Sequence, residues 1–117
     1  MEIGSKGLSE VDLVIPQETT LAFRIVHKED EGNVIDHSSS TCHMAFQTKN
    51  KQTTYDLSNC CRPRADYIGV EIPPTVTEDM PTGKLQWDLI VTTAAGENIR
   101  LLYGTAQIVD TYALDGD

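Results

Sequence analysis

Four large apolar residues at alternate positions, Leu85, Trp87, Leu89 and Val91, constrain this chain more than any other feature. Gln86, Asp88 and Thr92 fall between them, with Ile90 the one apolar exception. A period of two fits a β-strand with one face in a core and excludes a helix, whose apolar stripe repeats every three to four residues. The chain's only tryptophan lies mid-run on the inward set, where an indole buries more apolar surface than any other side chain. Thr93 to Asn98, with Gly96 inside, reads as a turn, and Ile99, Leu101 and Tyr103 then alternate again. The unit is a β-hairpin, and its apolar face requires a second layer.

The same period recurs along the chain. Val11–Ile15 is a short strand stopped by Pro16. Leu21, Phe23 and Ile25 define a second, running to about His27. Lys28–Asn33 is a charged turn, Val34 and Ile35 resume briefly, and Asp36–Ser40 is a loop of side chains that bond their own backbone. Cys42, Met44 and Phe46 mark a third strand, Thr53–Leu57 a weaker one, and Ile68, Val70 and Ile72 another, ended by Pro73-Pro74. Ser58–Asp66 reads as a loop. Thr75–Met80 reads as one helical turn capped by Thr75 or Thr77. Beyond the central hairpin, Thr105–Thr111 continues the last strand, and Gly104 within it marks a bulge or a close backbone approach. About seven short strands without a long helix predict an all-β, antiparallel β-sandwich over residues 11–112. Residues 1–10 are polar and aperiodic. They are expected to form an extended arm held by a neighbouring subunit, and residues 113–117 a short acidic tail.

A chain of 117 residues suits one domain that buries roughly two-thirds of its unfolded surface. No apolar run approaches the ~20 residues of a membrane-spanning helix, and Met1–Leu13 lacks the apolar core of a secretory leader. A cytosolic origin is the expectation. Nine Lys and Arg against 18 Asp and Glu give a net charge of −9, which argues against nucleic-acid binding. Three cysteines, two of them adjacent at Cys60 and Cys61, do not make a spaced disulfide framework. Cys42 reads as a buried free thiol.

Several constellations invite chemistry and do not carry it. Cys42 and His43 point to opposite faces of one strand, and adjacent cysteines rarely chelate together, so no metal and no cofactor is expected. His27, His37 and His43 fall at a turn edge, in a loop and at an outward strand position, with nothing in the sequence to pair them with a nucleophile. No catalytic activity is expected. Trp87 on the inward set reads as core rather than as a sugar platform, and Tyr55, Tyr67 and Tyr103 are better placed for stacking. Arg62 and Arg64 flank Pro63 in an otherwise acidic chain, a local basic loop suited to carboxylates on a partner.

The strand pattern from Val11 to Tyr112 resembles the small immunoglobulin-like β-sandwich proteins of tailed-bacteriophage virions. The matching passages are Asp12–Leu21, Arg24–Ser38, Met44–Gln47, Met80–Leu89, and Gly96 with Arg100–Gly104. The resemblance implies a non-enzymatic virion part: above all a decoration or cement protein that binds the major capsid protein and stabilises the shell, with neck, tail or baseplate accessories and a surface carbohydrate-binding module as alternatives. It implies location in the virion, a virion protein as partner, self-association on the particle, and no nucleic acid or membrane. Thr53–Arg64 departs from the pattern and is where this chain is expected to make its own contact. The candidate partner-binding residues are Glu2, Ile3 and Leu8 in the arm and Arg62 and Arg64 in the basic loop.

Overall fold

The Leu85–Val91 repeat lies inside a ten-residue strand, and its four large side chains are 4% exposed or less. The computed structural model describes residues 1–4 and 7–111; the tail expected beyond residue 112 lies outside them. In chain order the strands are β1 (Glu2–Ile3), β2 (Ser9–Glu10), β3 (Leu13–Pro16), β4 (Leu21–His27), β5 (Thr41–Gln47) and β6 (Thr54–Asp56). A 3₁₀ turn (Ser58–Cys60) leads to β7 (Cys61–Pro63) and β8 (Ile68–Ile72). One helical turn, α1 (Pro74–Thr77), precedes β9 (Gly83–Thr92) and β10 (Asn98–Val109).

The strands form two sheets. One runs β1-β4-β8-β7. The other runs β2-β10-β9-β5-β6, with β3 also on β10. Alternation explains the core between them: β4 and β8 send Ile25, Ile68, Val70 and Ile72 inward, and β5, β9 and β10 send Met44, Phe46, Trp87, Leu89 and Ile108. Phe46 meets the Trp87 indole edge-on at 6.2 Å, a favoured aromatic geometry. The all-β sandwich is the expected architecture, built among the described residues from ten strands rather than about seven. β7 falls inside the segment read as a loop, because Cys61-Arg62-Pro63 holds no large apolar side chain and shows no periodicity. The central sheet pairings are antiparallel, but β1 on β4 and β2 and β3 on β10 are parallel.

Those parallel strands correct the reading of the first ten residues as an arm held by a neighbour. The chain's own sheets hold Met1–Ile3 and Leu8–Glu10. Val26 N–H donates to Met1 O at 2.7 Å, Lys28 N–H to Ile3 O at 2.8 Å, and Leu8 N–H to Arg100 O at 2.9 Å. Ile3 is buried at 2% exposure. Two-residue strands are too short for a period to appear in the sequence.

The expected alternation of Ile99, Leu101 and Tyr103 breaks at a bulge between Arg100 and Leu102. One extra residue shifts the phase, so Leu101 and Leu102 are both buried and the inward set continues with Ala106 and Ile108. Gly104 marks a close approach: a Cβ there would overlap the Val11 carbonyl and come within 3.0 Å of Asp12 Oδ1. That carbonyl accepts the Trp87 indole N–H at 2.9 Å, and Asp12 Oδ1 accepts from both the amide and the hydroxyl of Thr105 at 3.0 Å. The helical turn is present, but neither Thr75 nor Thr77 caps it. Pro73 occupies the cap position, and the buried Thr77 hydroxyl accepts Glu18 N–H at 3.1 Å.

Candidate binding groove

Arg24 projects outward from β4, between the inward Phe23 and Ile25. Arg62 projects outward from β7. Both strands pair with β8 at Gly69: Arg24 on one side, Arg62 on the other. Two inter-strand spacings therefore separate the arginines, about 10 Å between backbones. The residue between them has no side chain, which leaves a notch in the sheet's outer face. The Tyr67 ring leans into it, with Cε2 at 3.3 Å from where a Gly69 Cβ would stand. The Arg24 guanidinium stacks on that ring at 4.3 Å, a cation–π contact. Arg64 closes the end where β7 turns into β8; its amide donates to Tyr67 O at 2.8 Å.

The result is a groove of about 380 Å³ lined by Arg24, Arg62, Arg64, Tyr67, Gly69 and Glu71, with Ala22 and the Tyr67 ring supplying apolar surface. Among the described residues none of the three arginines enters an ion pair, whereas Lys28 pairs with Glu2 at 2.7 Å and Arg100 with Asp88 at 3.3 Å. Arg100 lines a second concavity, of about 430 Å³, on the other sheet, but there Asp88 already compensates its charge. Three guanidinium groups outside any ion pair among the described residues, against the single carboxylate of Glu71 in the lining, make the first groove favourable for an anionic group.

The structure thus brings Arg62 and Arg64 together and adds Arg24, which the sequence reading passed over. The signal was present in its outward position, but its meeting with Arg62 depends on the strand order β4-β8-β7. The arm candidates do not join this site. Glu2 is exposed on β1, the opposite edge of the sheet, where the Lys28 ammonium holds its carboxyl below the ordinary value. Ile3 is in the core and not available to a partner. Leu8 is 56% exposed with φ 63°, beside β10 of the other sheet.

Two further clusters correct or refine the sequence reading. His27 and His37, read at a turn edge and in a loop with no nucleophile to pair with, are buried and joined: His27 Nδ1 lies 2.8 Å from His37 Nε2. His37 Nδ1 lies 2.8 Å from Ser40 Oγ. The signal was the β4 register, since residue 27 continues the inward set of 21, 23 and 25. Burial first, and the neighbouring His27 second, push the His37 pKa below its ordinary 6.5, with Asp36 opposing. The chain of side chains fastens the Asp36–Ser40 loop to β4, and Ser40 lines neither concavity. Cys42, on β5, is buried as expected, and its thiol is hydrogen-bonded to that of Cys61 on β7. That bond and burial push the Cys42 thiol far up, while the same bond holds Cys61 below its ordinary value. His43 lies on the exposed face of the same strand.

No model of a known protein family matches the chain, and no curated protein matches it in sequence. Among solved structures it is similar to the N-terminal domain of ORF48 of phage TP901-1, with TM-score 0.47 and 8% identity over 95% of each chain. It is also similar to part of a family 123 glycoside hydrolase from Clostridium perfringens, with TM-score 0.49 and 11% identity. That similarity covers 87% of this chain and 23% of the enzyme, so the chain spans less than a quarter of that protein's length.

Proposed function

We propose that this chain is a non-enzymatic structural component of a bacteriophage particle that docks through the outer face of its four-stranded sheet. The observation that carries the docking face is the set of three outward arginines, without carboxylate partners among the described residues, on a chain of net charge −9. The sequence resemblance supports the setting. Its matching passages fall on β3 and β4, β5, the start of β9, and β10. The departing segment, Thr53–Arg64, forms β6, the 3₁₀ turn and β7, one wall of the groove.

The favoured role is decoration of the capsid shell. A protein that binds only the assembled shell stabilises it by mass action. Symmetric copies turn modest contacts into firm attachment through effective concentration. The test is co-sedimentation of the purified protein with heads and, separately, with tails that lack it. Stoichiometric binding to heads that raises their resistance to heat supports decoration. Binding to tails moves the protein to the neck or baseplate. Binding to neither, with glycan binding that requires the half-buried Tyr67 or Tyr103, replaces the structural role by a carbohydrate-binding one.

A further inference from the structure

We infer that the Arg24–Arg62–Arg64 groove is a receptor for an acidic segment of a protein partner, seated with carboxylates on the guanidinium groups and apolar side chains between them. The inference rests on the docking face proposed above and names what that face recognises. Arg24 and Arg62 flank Gly69 across β8, so each presents a planar fork on one side of a common notch. A guanidinium fork matches a carboxylate in two parallel hydrogen bonds, and stacking on Tyr67 pre-organises Arg24 for this. A Cβ at Gly69 would stand 3.3 Å from Tyr67 Cε2, so a larger residue there narrows the notch and presses on the ring.

The rest of the lining selects among anions. Ala22 and the Tyr67 ring supply apolar surface, which suits side chains of a peptide and not a bare phosphate backbone. Glu71 stands at one end, opposite Ala22 in the register. It repels a continuous polyanion and accepts a hydrogen bond from a ligand's backbone or cationic group. The net charge of −9 opposes nucleic acid further.

The test uses the isolated full chain and a blocked heptapeptide of alternating glutamate and valine, followed by amide NMR. The expected result is saturable shifts at Arg62, Tyr67 and Gly69 that weaken with added salt. Arg24→Glu or Arg62→Glu lowers affinity at least tenfold, and Arg24→Lys, which keeps the charge and loses the fork, gives an intermediate loss. Both positions face outward, and an unchanged spectrum of the free variants verifies their fold. Shifts confined to other surfaces, or equal affinity in the charge-reversed variants, overturns the inference, as does tighter binding of a single-stranded oligonucleotide. Because no particle is present, such a failure leaves the sedimentation test of the virion role intact.

Discussion

Replacing Gly104 with alanine tests the packing of the N-terminal segment against the central hairpin. The added Cβ overlaps the Val11 carbonyl, and the backbone there sits at φ 153°. The Val11 carbonyl must move, and the indole N–H of Trp87, now 2.9 Å from it, loses its acceptor. Trp87 is 3% exposed, and a buried donor left without a partner costs about 1–3 kcal/mol. Holding a side-chain-bearing residue in so sparse a backbone region adds about 1–3 kcal/mol. The expected loss is about 4 kcal/mol, a large share of the ~5–15 kcal/mol that separates native from unfolded domains. At ~4–8 °C per kcal/mol this lowers the melting temperature by about 15–30 °C. Urea unfolding followed by far-ultraviolet circular dichroism, which does not depend on the chain's only tryptophan, measures it. Combined with Trp87→Phe, the two losses should sum to less than the parts, because both remove one hydrogen bond. A Gly104→Ala variant within about 0.5 kcal/mol of the parent, a change typical of an unremarkable surface site, refutes the reasoning.

Three other outcomes follow from the core and its buried polar groups. Ile3→Ala should cost about 2–4 kcal/mol, as for a buried large-to-small change, whereas an arm docked elsewhere would leave melting of the free protein unaltered. His37 binds a proton less readily folded than unfolded, so its contribution is present above pH 6.5 and is lost as pH falls toward its lowered folded value; stability should drop with acid at up to ~1.4 kcal/mol per pH unit. His37→Gln should flatten that slope in urea melts at pH 5 to 7, and an unchanged slope removes His37 as its source. Iodoacetamide at pH 8 should modify the half-buried Cys60 before Cys42, whose thiol is buried and pushed far up; peptide mass mapping that finds Cys42 alkylated first contradicts the packing of β5.

What the sequence made legible follows the length of each pattern. Leu85–Val91 and Cys42–Phe46 repeat often enough for period two to stand out, and every inward position named there is buried. The glycine at 104 announced a bulge or a close approach, and the structure shows the close approach there, with the bulge at Arg100 instead. The N-terminal strands were hidden, since a pair of residues has no period and parallel pairing at a sheet edge leaves no turn signal. The bulge at Arg100 shifted the phase of β10 for a reason that lies in its pairing with β9, not in its own composition. Half of the groove was legible as the pair Arg62 and Arg64. Its other half required knowing that β8 lies between β4 and β7, so that Gly69 separates Arg24 from Arg62. The His27–His37 contact likewise joins a strand end to a loop, and only the register of β4 hinted that His27 points inward.

The central claim, that the protein engages its partner through the outer face of the four-stranded sheet, is tested most directly by hydrogen–deuterium exchange on the free protein and on the particle-bound protein. Slowed exchange in Cys61–Glu71 on binding, with the outer face of β5 and β9 unchanged, is the predicted result. Protection confined to the six-stranded sheet, with Arg62–Gly69 exchanging as in the free protein, contradicts it.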